Sequence, residues 1–351
     1  MKSVIASSEH VRLVAELPAQ RESDRIALRA RMLSVAQRLG YGESRRSDMS
    51  LVVYELATNI SKYAQGKGFI QVWLQPGPSI DIFALDYGPG IYELERALGN
   101  GYSTSGTLGK GLGSIARLCD HWDIYSRSAP PGGDNTNWHG TAVLARFSTP
   151  SLLTQHGIGI YVRSLNDDSY SGDTIFLYCN DQHIRWFHAD GLGSGKTAQQ
   201  STEPLGRALL HSPRPTEILE FSRTLIDSGK GAVAIVGAYQ PHPEQLVVCG
   251  IGDMHLDVCN TDSDNKDKEQ IKFAPGILGK DVYATTPHNI TMGKRTAVLS
   301  ASDGIRRNWD PQRYAGLMSR DPQLIAYFLG SEAGRLSDDR SLFVLSPPRC
   351  N

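Results

Sequence analysis

The chain has 351 residues, with 36 Lys and Arg against 37 Asp and Glu and a formal net charge of −1. That length suits two domains, each with its own core, and the balanced charge excludes a nucleic-acid stripe or a polybasic membrane patch. No apolar run reaches the ~20 residues a bilayer span needs, and the opening MKSVIASSEHVRLVAEL carries charges where a signal peptide has an apolar core. Five cysteines (Cys119, Cys179, Cys249, Cys259, Cys350) without a CxxC spacing argue against a disulfide framework or a zinc site. Cys119, Cys179 and Cys249 lie in apolar stretches, as small core residues do. The expected setting is reducing cytoplasm, with neither nucleic acid nor membrane as partner.

In chain order, a strand is expected at VRLVAEL. A helix follows from about Ser23, its N-cap, to Leu39 before Gly40, and another from about Ser47 to Ala64. The strands FIQVWLQ and IDIFALDYG are joined by the turn residues PGPS. After a glycine-rich loop come a helix at SIARLCD, the strand WDIYSRS, the loop tip APPGGDNTNWHG and the strand TAVLARF. STPSLLTQHG reads as a linker. Strands resume at GIGIYVRSL, DTIFLYCN and HIRWFHAD, followed by helical stretches at Glu203 to Leu210 and Pro215 to Ser228. AVAIVGAYQ, QLVVCGIGD, the polar loop TDSDNKDKEQ, RTAVLSASDG, a helical tail and SLFVLS complete the pattern, and no tandem repeat is present.

Three motifs in the first half suit a nucleotide. Glu55 and Asn59 are four apart on a helix, so they share a face, where a carboxylate can activate a hydroxyl and an amide can hold Mg²⁺. Asp86 ends an apolar strand and runs into Gly88 and Gly90, where a carboxylate can accept from an exocyclic amine and the backbone can approach a ligand. GYSTSGTLGKGLGSIARLCD feeds Gly109, Gly111 and Gly113 into a helix whose free N–H groups suit phosphate, with Lys110 adding charge, and it is not a P-loop. Singly these read equally well as a solvated pair, a turn and a linker. In this order and spacing they resemble the N, G1 and G2 boxes of the GHKL ATPase/kinase superfamily, over about residues 10 to 148. Within it the likeness is to RsbT-type switch kinases and their anti-sigma relatives, through YELATNISKYA and LGKGLGSIARLCD. The resemblance implies a Bergerat-fold α/β sandwich and serine/threonine kinase activity. By it Glu55 is the base, Asn59 the Mg²⁺ ligand and Asp86 the adenine contact. Gly88, Gly90, Gly109, Lys110, Gly111 and Gly113 surround ATP, and Thr141 lies near the adenine. A sensor histidine kinase would need a phosphoacceptor hairpin upstream, and a gyrase-like ATPase a transducer domain downstream.

The second half carries acids in an ordered series: SGD with Asp173, HADGLGSG with Asp190, CGIGD with Asp253, SASDGI with Asp303, and SDDRSLFVL with Asp338 and Asp339. Two hard divalent metals need several carboxylates, and acids at the ends of apolar strands gather at one edge of a sheet sandwich. There a water between the metals can attack phosphorus in line. One Asp-Gly alone is an ordinary turn. The series resembles PPM-type metal-dependent serine/threonine phosphatases, in particular the SpoIIE/RsbX branch, over about residues 157 to 347. The resemblance implies an α-β-β-α sandwich in which Asp173, Asp190, Asp303 and one of Asp338 and Asp339 hold metal, with the carbonyl of Gly191. Asp338 is favoured, three positions before Ser341, and Asp253 reads as structural. The chain departs from that pattern in having DGLGSG without a histidine, and no arginine is evident before Asp173 for phosphate. His183 and His188 flank Trp186 and read as surface or core, and His139 lies beside Gly140. TDSDNKDKEQ lacks an EF-hand pattern.

The expectation is an α+β protein of two domains: a kinase domain at 1–148, a linker at 149–156 and a phosphatase domain at 157–351. ATP with Mg²⁺ serves the first, two Mn²⁺ or Mg²⁺ ions the second. The resemblance implies a bacterial partner-switching or stressosome-like pathway, with a STAS-domain antagonist as the shared substrate. A first alternative makes the ATP domain a regulatory or sequestering module beside the phosphatase. A second makes it an ATPase driving a conformational change. The sequence leaves homodimerisation open.

Overall fold

The computed structural model describes residues 4–8, 11–77, 79–94, 108–129, 137–148, 156–180, 182–226, 230–261, 268–280, 285–293 and 295–346. The loop residues 95–107 and 149–155 of the expected linker lie outside that set. The chain forms two compact units: Arg12–Thr149 with Gln312–Arg320, and Met1–Val11 with Pro150–Pro311 and Asp321–Asn351. A short first strand, β1 (Val4–Ser7), therefore belongs with the C-terminal unit.

The N-terminal unit is one antiparallel sheet with helices on a face. Its strands are β2 (Arg12–Pro18), β3 (Gly68–Gln75), β4 (Ser79–Asp86), β5 (His121–Arg127) and β6 (Gly140–Phe147), in the order β2-β3-β4-β6-β5. Helix α1 spans Glu22–Arg38, one residue earlier than expected. Arg21, not Ser23, is its N-cap, and no side chain caps it, since Ser23 already lies in the first turn. Gly40 follows at φ +83, a conformation that stops a helix cheaply. Helix α2 runs Glu43–Tyr63, and α3, Leu108–Leu118, begins inside the glycine run. Alternate residues of the strands (Ile80, Ile82 and Ala84; Val143, Ala145 and Phe147) meet Met32, Val35, Val52, Val53, Leu56, Ile60 and Ile115 in one apolar core.

On the opposite face Trp73, Phe83 and Leu144 are also fully buried. Among them Arg146 grips Asp81 with both branches of its guanidinium, Nε–Oδ1 2.6 Å and Nη2–Oδ2 2.6 Å, the two side chains 5% and 0% exposed. Breaking such a pair strands a charge in the core. Arg146→Ala is expected to destabilise this unit by ~3–5 kcal/mol, whereas replacing both partners with apolar residues recovers most of that loss. Urea midpoints of the single and double variants check it, and equal midpoints for both would refute it.

The C-terminal unit stacks two antiparallel sheets. One contains β1, β8 (Asp173–Cys179), β9 (Ile184–Gly191), β10 (Ala232–Gln240), β11 (Gln245–Ile251) and β14 (His288–Thr291), in that order. The other contains β13 (Lys268–Ile271), β12 (His255–Asn260), β15 (Thr296–Ala301), β16 (Arg340–Leu345) and β7 (Ile158–Arg163). Helices α4 (Gly195–Thr202) and α5 (Pro215–Ser222), with the 3-10 helix Glu203–Leu210 between them, cover the six-stranded sheet; α6 (Pro322–Glu332) covers the five-stranded one. Outward residues Phe187, Ala189, Ala234 and Val236 join Leu205, Leu209, Ile218 and Leu219 under the helices. Inward residues meet between the sheets, where Trp186 stacks on Phe343 at 4.6 Å between ring centroids. The layers are thus α-β-β-α, and the whole chain is α+β, as expected. Among the described residues no helix is long and apolar enough to cross a membrane.

Candidate functional site

In the N-terminal unit Asp86 closes β4 in the same alternation as Ile82 and Ala84, so it lies on the face that carries the helices. Its Oδ1 accepts the N–H of Gly88 at 2.8 Å and of Thr141 at 3.2 Å, and Oδ2 has no partner among the described residues. Burial raises its carboxyl above the ordinary range, against those two N–H groups and His139. His139 Nδ1 lies 2.7 Å from the Gly88 carbonyl, so it braces the turn. The Thr141 hydroxyl is 3.1 Å from Ser126 Oγ, which also receives the N–H of Ile91. Gly140 is required here: its φ is +144, and a Cβ would stand 2.0 Å from the Asp86 carbonyl oxygen. Gly88 and Gly90 shape the turn after β4. Glu55 and Asn59 are half-buried on α2, beside the buried stripe of Val52, Leu56 and Ile60. Gly109, Lys110, Gly111 and Gly113 lie in the first turns of α3, where N–H groups are unsatisfied within a helix; the Lys110 side chain lies outside the described residues. The arrangement offers one free carboxylate oxygen for an amine, a helix N-terminus for phosphate and a carboxylate–amide pair.

In the C-terminal unit the antiparallel register sets Asp173, first residue of β8, directly opposite Asp190 near the end of β9. Cross-strand partners of this kind sit with Cβ atoms ~5 Å apart. From the other sheet come Asp303, just after β15, and Asp338, just before β16. Gly304 lets those two segments meet, since a Cβ there would stand 1.8 Å from the Asp339 carbonyl oxygen. Gly191 ends β9, its N–H bonded to the Gly172 carbonyl. Burial raises the Asp190 carboxyl, with added repulsion from Asp173, Asp303, Asp338 and Asp253. Asp303 is raised by burial, then by Asp338 and Asp253, with Arg335 and Arg307 opposing. Asp173 is raised by burial against two serine hydroxyls. Its Oδ2 accepts from Ser302 and Ser341, each at 2.7 Å, while Oδ1 is buried without a hydrogen-bond partner among the described residues. An orphaned carboxylate oxygen facing other acids is what a hard cation would satisfy. Among the described residues no three acid, thiol or imidazole side chains stand in finished ligating geometry, so the carboxylates gather without closing.

The two members of the acidic pair differ. Asp339 is 4% exposed, its Oδ1 taken by the N–H of Leu165 at 2.7 Å and Oδ2 by that of Gly172 at 2.6 Å. It therefore ties β16 to the loop before β8. Asp338 is the one whose charge reaches Asp190 and Asp303. Asp253, read from sequence as structural, stands at the rim instead, 65% exposed and 3.9 Å from Arg307.

No family model matches the chain. The serine/threonine-protein kinase RsbT of Bacillus subtilis (strain 168) is 39% identical to it over 108 residues of the N-terminal region, 30% of this chain and 80% of that protein. The chain belongs to the RsbT family. Among solved structures, one from work on the bacterial stressosome as a modular system controlling secondary messenger signalling covers 53% of this chain and 97% of its own, at 21% identity and TM-score 0.48. RsbX in complex with magnesium covers 53% and 92%, at 18% identity and TM-score 0.46. The Mycobacterium tuberculosis serine/threonine phosphatase PstP covers 55% and 98%, at 14% identity and TM-score 0.42.

The RsbT-family match concerns the first half of the chain; in the second half sequence reasoning passed over two buried histidines. His188, expected with His183 to be surface or core, is core: it is fully buried between serines behind Asp173. The signal was its spacing, two before Asp190 on a strand and so on the same face. His255 is 2% exposed, and neither ring nitrogen has a hydrogen-bond partner. Burial pushes its pKa down to about 4, although Asp257, with Oδ2 3.8 Å away, pulls upward. Its folded pKa thus lies below the unfolded value of ~6.5. Between those values the unfolded chain binds more protons, so stability is lost as pH falls through that window. The unfolding free energy from urea titrations is expected to fall between pH 7 and pH 4.5 by on the order of 2 kcal/mol more in the wild type than in His255→Phe. Parallel curves would count against it.

Proposed function

We propose that this chain is a bifunctional protein serine/threonine kinase and phosphatase of a bacterial partner-switching pathway. Its substrate is a STAS-domain antagonist that one unit phosphorylates and the other dephosphorylates. The observation that supports this reading most is the union in one chain of an RsbT-family unit with a carboxylate cluster whose Asp173 Oδ1 is buried and unsatisfied.

In the kinase reaction Glu55 takes the proton of the acceptor hydroxyl as its oxygen bonds the γ-phosphorus. The bond from that phosphorus to the bridging oxygen breaks and ADP leaves. Asn59 would hold Mg²⁺, Asp86 would receive the adenine amine through Oδ2, and Gly88, Gly90 and Thr141 would line the base. The α3 N-terminus with Gly109, Lys110, Gly111 and Gly113 faces the phosphates. In the phosphatase unit Asp173, Asp190, Asp303, Asp338 and the Gly191 carbonyl would hold two Mg²⁺ or Mn²⁺ ions, which would supply charge for the phosphoryl oxygens and a water acidic enough to ionise near neutrality. Asp339, occupied by backbone donors, serves as the strut beneath them.

The test is label transfer from γ-labelled ATP to a STAS-domain protein encoded beside this gene, comparing wild type, Glu55→Ala and Asp303→Ala. Label that needs Glu55 and accumulates without Asp303 supports opposing enzymes. No label, with hydrolysis of pre-phosphorylated partner intact, would make the ATP unit a regulatory module. Steady ATP turnover without an acceptor would make it an ATPase.

A further inference from the structure

Behind Asp173 the two sheets are joined by polar groups at a depth where apolar packing is the rule. His188, 0% exposed, projects from β9 toward the five-stranded sheet. Its Nδ1 lies 2.8 Å from Ser300 Oγ and its Nε2 2.7 Å from Ser341 Oγ. Ser341 Oγ donates to Asp173 Oδ2 at 2.7 Å, and Ser302 Oγ donates to the same oxygen at 2.7 Å. Ser302 Oγ meanwhile accepts the N–H of Ser341 at 3.1 Å, so both hydroxyls are held in place.

Counting protons gives this chain a direction. A carboxylate that ligates a metal is ionised and only accepts. Ser302 and Ser341 each spend their single hydroxyl proton on Asp173 Oδ2. Ser341 has none left for the ring, so His188 Nε2 carries a proton and donates to Ser341 Oγ. A donor pressed on that oxygen fixes the direction of the Ser341 O–H, which fixes the Asp173 rotamer. With Oδ2 saturated, Oδ1 is the oxygen left over, and it is the buried atom without a partner.

We propose that His188 is a positioning residue for the metal centre: through Ser341 it saturates Asp173 Oδ2 and leaves Oδ1 to bind the cation. The proposal rests on the phosphatase reading of the acid cluster. It differs from simple space-filling, because an apolar side chain of similar size fills the same volume without orienting anything.

The measurement is Mn²⁺ affinity of the full chain by calorimetry, with circular dichroism to confirm folding. Partners of metal ligands set affinity by roughly 10–100-fold. His188→Leu and Ser341→Ala are expected to bind Mn²⁺ that much more weakly, while His188→Gln, which keeps an N–H donor, stays near wild type. In the Mg²⁺-loaded wild type, ¹H–¹⁵N correlation of the imidazole is expected to show Nε2 protonated. A Leu variant that matches Gln and wild type, or a bare Nε2, overturns the proposal. Should His188→Leu fail to fold, Ser341→Ala decides: unchanged affinity overturns it. A wild-type chain that binds no Mn²⁺ overturns the phosphatase reading and this proposal together; one that binds, with variants unaffected, overturns this proposal alone.

Discussion

Asp190→Asn is expected to lower hydrolysis of a phosphorylated partner by at least about three orders of magnitude while making the metal-free protein more stable. The two effects have one cause. Asp190 is held near Asp173, Asp303 and Asp338 and largely out of water, which raises its carboxyl pKa. A carboxyl whose folded pKa exceeds its unfolded value costs nothing below the unfolded pKa of ~3.9 and loses stability as pH rises from there toward the folded pKa. Near pH 8 the wild-type site carries that strain, and an amide does not. One kilocalorie per mole moves the melting point of a unit this size by ~2–4 °C, so a rise of several degrees without divalent ion is the expected reading. Activity falls because the water is no longer made acidic, a change that spans many orders of hydroxide availability between pKa 15.7 and ~7. Divalent ion should then stabilise the wild type and leave Asp190→Asn almost unmoved, since a ligand stabilises only what it binds. A variant that loses both activity and metal-free stability would assign Asp190 to packing.

Glu55→Ala is expected to slow label transfer from ATP by roughly 10²–10⁴-fold, the usual contribution of a positioned base. ATP affinity should stay within a few-fold, because Asp86, the proposed adenine contact, its Gly88 and Thr141 donors and the α3 N-terminus are untouched. Asp86→Asn should show the opposite division. It leaves Oδ1 an acceptor for the two N–H groups but puts an NH₂ where Oδ2 stood, facing the adenine amine donor to donor, so binding weakens first. Equilibrium binding of a fluorescent ATP analogue beside single-turnover transfer separates the two. Transfer unchanged in Glu55→Ala would remove the kinase assignment.

Much of the fold was legible because its pattern is local. The alternation in IDIFALD and TAVLARF names strands with two buried faces, and Glu55 and Asn59 declare a shared helix face by spacing alone. Asp173, Asp190 and Asp303 were visible as strand-end acids. What stayed hidden depends on partners far away in sequence. KEQI reads as the tail of a polar loop, yet it forms β13, and an edge strand can carry Lys268 and Glu269 because one side stays open to solvent. VIAS is too short to announce itself, and β1 exists through its register with β8. His188 shares a strand face with Asp190, but that spacing alone says nothing of what its ring touches. Its meaning comes from Ser300 and Ser341, more than a hundred residues further on.

The pairing of β1 with β8 also sets a clock during synthesis. β1 leaves the ribosome well before its partner, which begins at Asp173, after the whole of Arg12–Thr149 has been made. At 5–20 residues per second that is roughly 8–35 seconds during which β1 has nothing to pair with. Arg12–Thr149 has that interval to fold before the six-stranded sheet can be completed. Four residues are a small template for misplaced pairing, so the brevity of β1 protects the nascent protein while it waits.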